Sequence, residues 1–271
     1  MRRFAPLALL LLTTAARAER MADYPPEVRA AVAGVCVIGT VTEIEKEPVQ
    51  AKPYPGATDP VAYTVAVVKV ETNVHGAKNV THVRVGFILP PAGVAARYQL
   101  PALKVDQKVC LFLTKLPDAA IHLMPGLSPP VENSDANKAV LDAVKKLAPV
   151  FADALAALKA DKAEDRAHAA AALLTRYRQS RYGGLTVEET IPAEESKAIL
   201  AALAGADWKA TGPFAPLTAL NLLALNKSVG FNPPQPKPGE DAAVLMRDEF
   251  KRWTANEGAK YAIKKLVPKA K

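Results

Sequence analysis

Apolar positions along the chain change their spacing once. Up to about residue 124 they alternate or run in short β-branched blocks, the signature of strands; from residue 134 they recur every three to four positions, the signature of helices. Val35 to Ile44 is β-branched and bounded by Gly34 and Pro48, so it reads as a strand, with Gly39 marking a bulge or bend. Val61 to Thr72 is a second strand, apolar on both faces early on and therefore central, and His75-Gly76 marks a turn. Thr81 to Ile88 alternates His82, Arg84 and Gly86 with Val83, Val85 and Phe87, a half-exposed strand. Lys108 to Lys115 is a buried strand and Ala120 to Met124 a short closing one. Pro48, Pro53, Pro55, Gly56 and Pro60 make residues 48–60 a rigid exposed loop.

Pro125 to Pro130 reads as a linker. Beyond it, Ser134 or Asp135 can cap a helix with Val140, Leu141, Val144 and Leu147 on its apolar side, kinked or broken at Pro149. Helices follow over Phe151 to Leu158, Ala163 to Tyr177, Glu194 to Ala204, Leu217 to Leu225, Asp241 to Ala255 and Ala259 to Val267, with an extended proline-rich loop from Asn232 to Gly239. The fold class expected is α+β: a small OB-like β-barrel over residues 19–128, followed by an all-α domain over 129–271, either a bundle or a short solenoid.

Two stretches resemble known families. Val37-Ile38-Gly39-Thr40-Val41, Tyr63-x-Val65-x-Val67 running to Gly76, Val83-Arg84-Val85, and Leu103-x-Val105-x-Gln107 leading into Leu111-Phe112-Leu113 together resemble the netrin/TIMP-like branch of OB-folds, over residues 32–125 only. The resemblance implies the fold. Inhibitors of that family wedge a Cys at the mature N-terminus onto a metalloprotease zinc, and here the first Cys is Cys36, so that mechanism does not carry over. Ala163 to Leu174 resembles the second half of a HEAT-type helical repeat, but no second copy recurs at a spacing of about 40 residues.

The N-terminus adds a compartment. Met1-Arg2-Arg3, the apolar run Phe4 to Leu12 and Ala16-Arg17-Ala18 have the layout of a cleavable signal peptide over residues 1–18, cut after Ala18. The apolar run is too short to span a bilayer, an uncleaved anchor is the alternative, and no transmembrane span is expected later in the chain. The destination is secreted or periplasmic. Cys36 and Cys110 are the only cysteines, and an even count in an exported chain points to a disulfide, with two buried thiols on strands as the alternative. In an OB barrel the first and fourth strands, which carry these residues, are neighbours.

The formal net charge is +8, or +5 once a signal carrying Arg2, Arg3 and Arg17 is removed; this modest excess reads as a solvated surface or as a preference for an anionic polysaccharide, and a protein partner is the other option. The basic residues form no dense run interleaved with aromatics, so nucleic acid is not expected. His75, His82, His122 and His168 have no metal-ligand spacing and read as solvated, so neither a metal nor a cofactor is implied. The chain carries no H-E-x-x-H, G-x-S-x-G or phosphate-loop motif, and Glu188-Glu189 and Glu194-Glu195 read as helix-start charges, so no catalytic residue is assigned. Candidate binding residues are Lys46, Lys52 and Tyr54 in the long loop, and Arg178, Arg181 and Tyr182 at a helix end, beside Tyr177. Trp208 and Trp253 read as core anchors. The function expected is that of an exported non-enzymatic binding protein; a hydrolase-like enzyme with a site between the domains and a structural envelope component are the alternatives.

Overall fold

The structure, a computed structural model, describes residues 24–53, 57–89, 101–116, 120–125, 129–179 and 186–269. Residues 1–18, expected to be a signal peptide, and Tyr54, Arg181 and Tyr182 lie outside the described residues. Helix α1 (Pro26–Val32) starts on Pro26, with Glu27 in its first turn. Strands β1 (Val35–Ile44), β2 (Val49–Ala51), β3 (Val61–His75), β4 (His82–Phe87), β5 (Lys108–Lys115), β6 (His122–Leu123) and β7 (Val131–Glu132) follow. Among the described residues they form one seven-stranded mixed sheet in the order β1-β3-β4-β6-β5-β7, with β2 on β3 and a further pairing of β1 with β5.

The small barrel expected from the sequence is not what forms. β1, β3, β4, β6 and β5 make a hydrogen-bonded ring of five strands that is not a barrel. The reason lies in β6. It has two residues, meets β4 in parallel at Val85–His122 and Gly86–Leu123, and meets β5 antiparallel at Thr114–Leu123 and Lys115–His122. A barrel needs strands long enough to share a tilt and a stagger, and so short a strand supplies neither. The loop expected over 48–60 is also shortened, because β2 pairs with β3 and buries Ala51.

The continuous apolar runs of β1 and β5 follow from burial on both faces. Val35, Val37, Val41, Leu111 and Leu113 pack in one buried cluster with Val68, Val85 and Phe87. Cys36, Ile38, Cys110 and Phe112 of the same strands pack instead against the helices. At Gly39 the β1–β3 register slips, and a Cβ there would sit 2.1 Å from the Lys69 carbonyl oxygen, so only glycine allows the approach. Gly76, with φ of +84°, ends β3 in the left-handed region.

The two cysteines are free thiols, not the expected disulfide. In the β1–β5 ladder Cys36 faces Phe112 and Cys110 faces Ile38. The thiols thus share a face but stand one diagonal step apart, where Cα atoms are about 7–8 Å apart, beyond the usual disulfide span of roughly 4.4–6.8 Å. Burial, and then the Cys110 thiol beside it, push the Cys36 thiol well above its ordinary pKa.

The helical half comprises α2 (Lys138–Lys145), α3 (Leu147–Ala152), α4 (Ala154–Leu158), α5 (Ala163–Arg178), α6 (Ala193–Ala204), α7 (Pro216–Leu222) and α8 (Ala242–Asn256). Pro149 falls in the first turn of α3, where its missing N–H costs nothing. This half is not all-α. The helix expected over Ala259 to Val267 is replaced by a 3-10 turn, Gly258–Lys260, and a strand β9 (Lys264–Pro268) paired antiparallel with β8 (Thr186–Thr190). Ion pairs Lys264–Glu188 at 3.0 Å and Lys265–Glu189 at 3.2 Å bridge the two strands, so Glu188 and Glu189 are strand residues and not helix-start charges.

One core joins the halves. Ile38, Val74 and Phe112 of the sheet pack in the same cluster as Leu147, Leu173, Leu174, Ile199 and Trp253. His75 is buried at this junction instead of solvated: its Nε2–H donates to the Ala30 carbonyl at 2.7 Å, and its ring meets Phe151 edge-on. Arg176 lies over the other aromatic partner of that contact, 4.6 Å from the Phe151 centroid. Arg29 lies over Phe112 and donates to the Pro129 carbonyl at 2.6 Å, tying α1 to the linker. His168 stacks edge-on against Phe214, and burial lowers its pKa. No helix among the described residues is long and apolar enough to cross a membrane.

Candidate functional site

Two cavities flank the stretch from Leu220 to Phe231, and Ala224 lines both. The stretch is built from local rules. Pro216 opens α7, and Ala224, with φ of 53°, leaves the helix in the left-handed region at a cost of about 1–2 kcal/mol for a residue with a Cβ. Asn226 Oδ1 then accepts from the Ser228 amide at 2.8 Å and the Ser228 hydroxyl at 2.6 Å, and Gly230 turns the chain with φ of 79°. Phe231 is buried edge-on against Trp253, whose indole N–H donates to the Val229 carbonyl at 2.7 Å. Trp253 and Trp208 are anchors of this core, as the sequence suggested.

The larger cavity, about 540 Å³, is a groove. Its floor is Leu220, Leu225, Phe231 and Met246, and one wall is Asn232 to Gln235. Pro233 and Pro234 stiffen that wall by fixing φ. Glu249 pins it to α8: one carboxylate oxygen accepts the Asn232 amide at 2.8 Å, while Arg252 grips both oxygens at 2.7 Å. Arg252 first, with help from the Asn232 amide, holds this carboxyl below its usual range. The rim carries Asn221, Asn232 and Gln235, whose side-chain amides make no hydrogen bond among the described residues, and the cation Lys227. Among the described residues, no carboxylate, imidazole, thiol or hydroxyl lines the groove. Such a surface can pair with amide or hydroxyl groups and bury apolar ones, but it holds no acid–base couple.

The second cavity, about 400 Å³, lies under β9 and brings in Arg178, Glu188, Lys260, Tyr261 and Lys264. Arg178 Nη1 donates to Glu188 at 2.8 Å and to the Lys264 carbonyl at 3.3 Å, and Arg178 Nε donates to the Leu222 carbonyl at 3.2 Å. This guanidinium thus ties the ends of α5 and α7 to the β8–β9 ribbon. Arg178 first and then Lys264 lower the pKa of Glu188. The Tyr261 hydroxyl donates to the Leu223 carbonyl at 2.7 Å, and burial raises its pKa.

Of the candidate binding residues that are described, Lys46, Lys52 and Arg178, Arg178 lines one of these two cavities. Its neighbour Tyr177 turns away and donates to Glu195 at 2.5 Å. Lys46 and Lys52 are exposed on either side of β2 and line neither cavity. Sequence reasoning passed over Asn221, Asn232 and Gln235, although a cluster of side-chain amides around a proline run was visible in it. It also passed over Tyr261 and Lys264, whose segment read as helix. Among the described residues no group of three or more His, Cys, Asp or Glu is arranged to hold a metal ion. No family model matches the chain, and a search of curated proteins finds no similar sequence.

Proposed function

We propose that this is a non-enzymatic binding protein, working outside the cytoplasm, that holds an extended uncharged stretch of a partner polypeptide in the groove between α7, α8 and the proline wall. The observation that carries this reading is the groove's lining: three side-chain amides with no internal partner above an apolar floor, in a volume typical of ligand sites. Peptide main chain offers N–H and C=O groups in alternation, and each side-chain amide can both donate and accept. A glycan is less well served, since the groove's aromatic ring, Phe231, is buried and presents no face for stacking. The wall is held in place by Glu249 and by prolines, so little ordering is required when a ligand enters. Export is supported by the Phe4 to Leu12 run followed by Ala16-Arg17-Ala18.

The test is an array of short immobilised peptides of random sequence, probed with the labelled protein and with an Asn221→Ala/Gln235→Ala variant. Wild type should select a subset of peptides, and the variant should bind them at least about tenfold more weakly, which corresponds to about 1.4 kcal/mol, with an unchanged Tm. Equal binding by a folded variant, or no selection by wild type, overturns the groove. For export, N-terminal sequencing of protein recovered outside the cytoplasm should start directly after Ala18; a start at Met1 overturns cleavage.

A further inference from the structure

We infer that the cavity under β9 is a second and independent ligand site, which takes a small organic monoanion: one carboxylate on a compact apolar body. The charges set the class. Arg178, Lys260 and Lys264 line the cavity with one acid, Glu188, and Lys260 is also paired with Glu257 at 3.1 Å. Among the described residues, three cations against two acids leave a single positive charge, which one monoanion neutralises. The cations already coordinate a carboxylate in this geometry, since Glu188 receives Arg178 at 2.8 Å on one oxygen and Lys264 at 3.0 Å on the other. They are not exhausted by it. Arg178 Nη2 makes no hydrogen bond among the described residues, and the Lys264 side chain is half exposed. A guanidinium with a spare terminal N–H and an ammonium beside it form a donor set suited to a carboxylate.

The rest of the lining fixes the body of the ligand. Leu223, Ala224, Val229, Ala262, Ile263 and the Tyr261 ring are apolar, and the volume of about 400 Å³ falls in the range of small-molecule sites. The Tyr261 hydroxyl is committed to the Leu223 carbonyl, so the ring acts as a wall and not as a donor to the ligand. Inorganic phosphate matches the cations but leaves this apolar surface uncovered, and its second charge exceeds what the set balances. The site lies across Ala224 from the groove and shares none of its amides. Failure of the peptide reading therefore leaves it standing.

The experiment is a titration of the whole exported protein with benzoate, benzamide and inorganic phosphate, followed by backbone amide chemical shifts. Benzoate should saturably shift the amides of residues 260–264, and benzamide, the same size without the charge, should bind at least tenfold more weakly. Lys264→Gln should weaken benzoate at least fivefold while its remaining spectrum stays native. Asn221→Ala/Gln235→Ala should bind benzoate as wild type does. No saturable shift at 260–264, equal binding of benzamide, or unchanged affinity in Lys264→Gln overturns the site. Phosphate binding as tightly as benzoate overturns the monoanion assignment.

Discussion

From Val35 to Ile38 and from Val109 to Leu113 every residue is buried, and the backbone of β1 is taken up by ladders to β3 on one side and β5 on the other. Between Leu220 and Gln235 the same kind of chain leaves helix α7 through a left-handed alanine, makes one 3-10 turn and runs into prolines. There the backbone cannot form a ladder, the side-chain amides of Asn221, Asn232 and Gln235 make no hydrogen bond among the described residues, and cavities open on both sides. A strand buried on both faces leaves nothing over for a ligand. A segment held by caps, one carboxylate and a few aromatic contacts does, because its polar groups are positioned without being consumed. Yet the two regions share a core, so the sheet supports the cavities it does not line.

That shared core gives the largest expected effect. Ile38→Ala, on the helix-facing side of β1, should cost about 2–5 kcal/mol, and helix and sheet signals should still melt together in circular dichroism and tryptophan fluorescence. Two separate transitions, with the helices unaffected, would break the link between the halves. Gly39→Ala tests the closed packing of the sheet alone. Its Cβ would collide with the Lys69 carbonyl, and a loss of about 1–3 kcal/mol is expected by denaturant titration, with the groove's affinity unchanged.

Acid should act on the helical side of the junction. His168 has its pKa lowered in the folded state by burial, so the unfolded chain binds more protons. The stability this contributes is present above the unfolded value of about 6.5 and declines as pH falls below it. His168→Gln should flatten the pH dependence of Tm between about pH 6.5 and 5; an unchanged slope refutes the assignment. Glu249→Gln keeps an acceptor for the Asn232 amide but loses the charge that Arg252 grips. A loss of about 1 kcal/mol is expected by denaturant titration, together with weaker peptide binding. The smallest effect concerns the exit from α7. Ala224→Gly relieves the left-handed strain but frees the unfolded chain, leaving a net stabilisation of at most about 1 kcal/mol by thermal melting. Destabilisation would mean that the alanine methyl is needed between the cavities.

Short-range patterns account for what was legible in advance. β1 and β5 were readable end to end, because β-branched runs between turn residues admit few other conformations. Helix α5 was readable to within a residue, and so was the slip at Gly39. Helix α1 was missed despite Pro26 and Glu27, both start signals, because seven residues carry little periodicity. β9 was mistaken for helix because Lys264 to Val267 fits either period over so short a run. Of the candidate contacts, Arg178 reached a cavity, but mainly as a tie between α5, α7 and the ribbon.

By itself, then, the sequence determined the change from strands to helices near residue 130, the burial of β1 and β5, and the turns at Gly76 and around Pro233 to Pro238, since each depends on side chains within a few positions of one another. Tertiary structure alone decided the rest. Whether the five-strand ring becomes a barrel depends on the length of β6. Whether Cys36 meets Cys110 depends on a register between strands more than seventy positions apart in the chain. Whether Asn221, Asn232 and Gln235 share a groove depends on Glu249 holding a distant loop against α8. Such outcomes are differences between long-range arrangements with the same local preferences, and no short stretch of residues contains them.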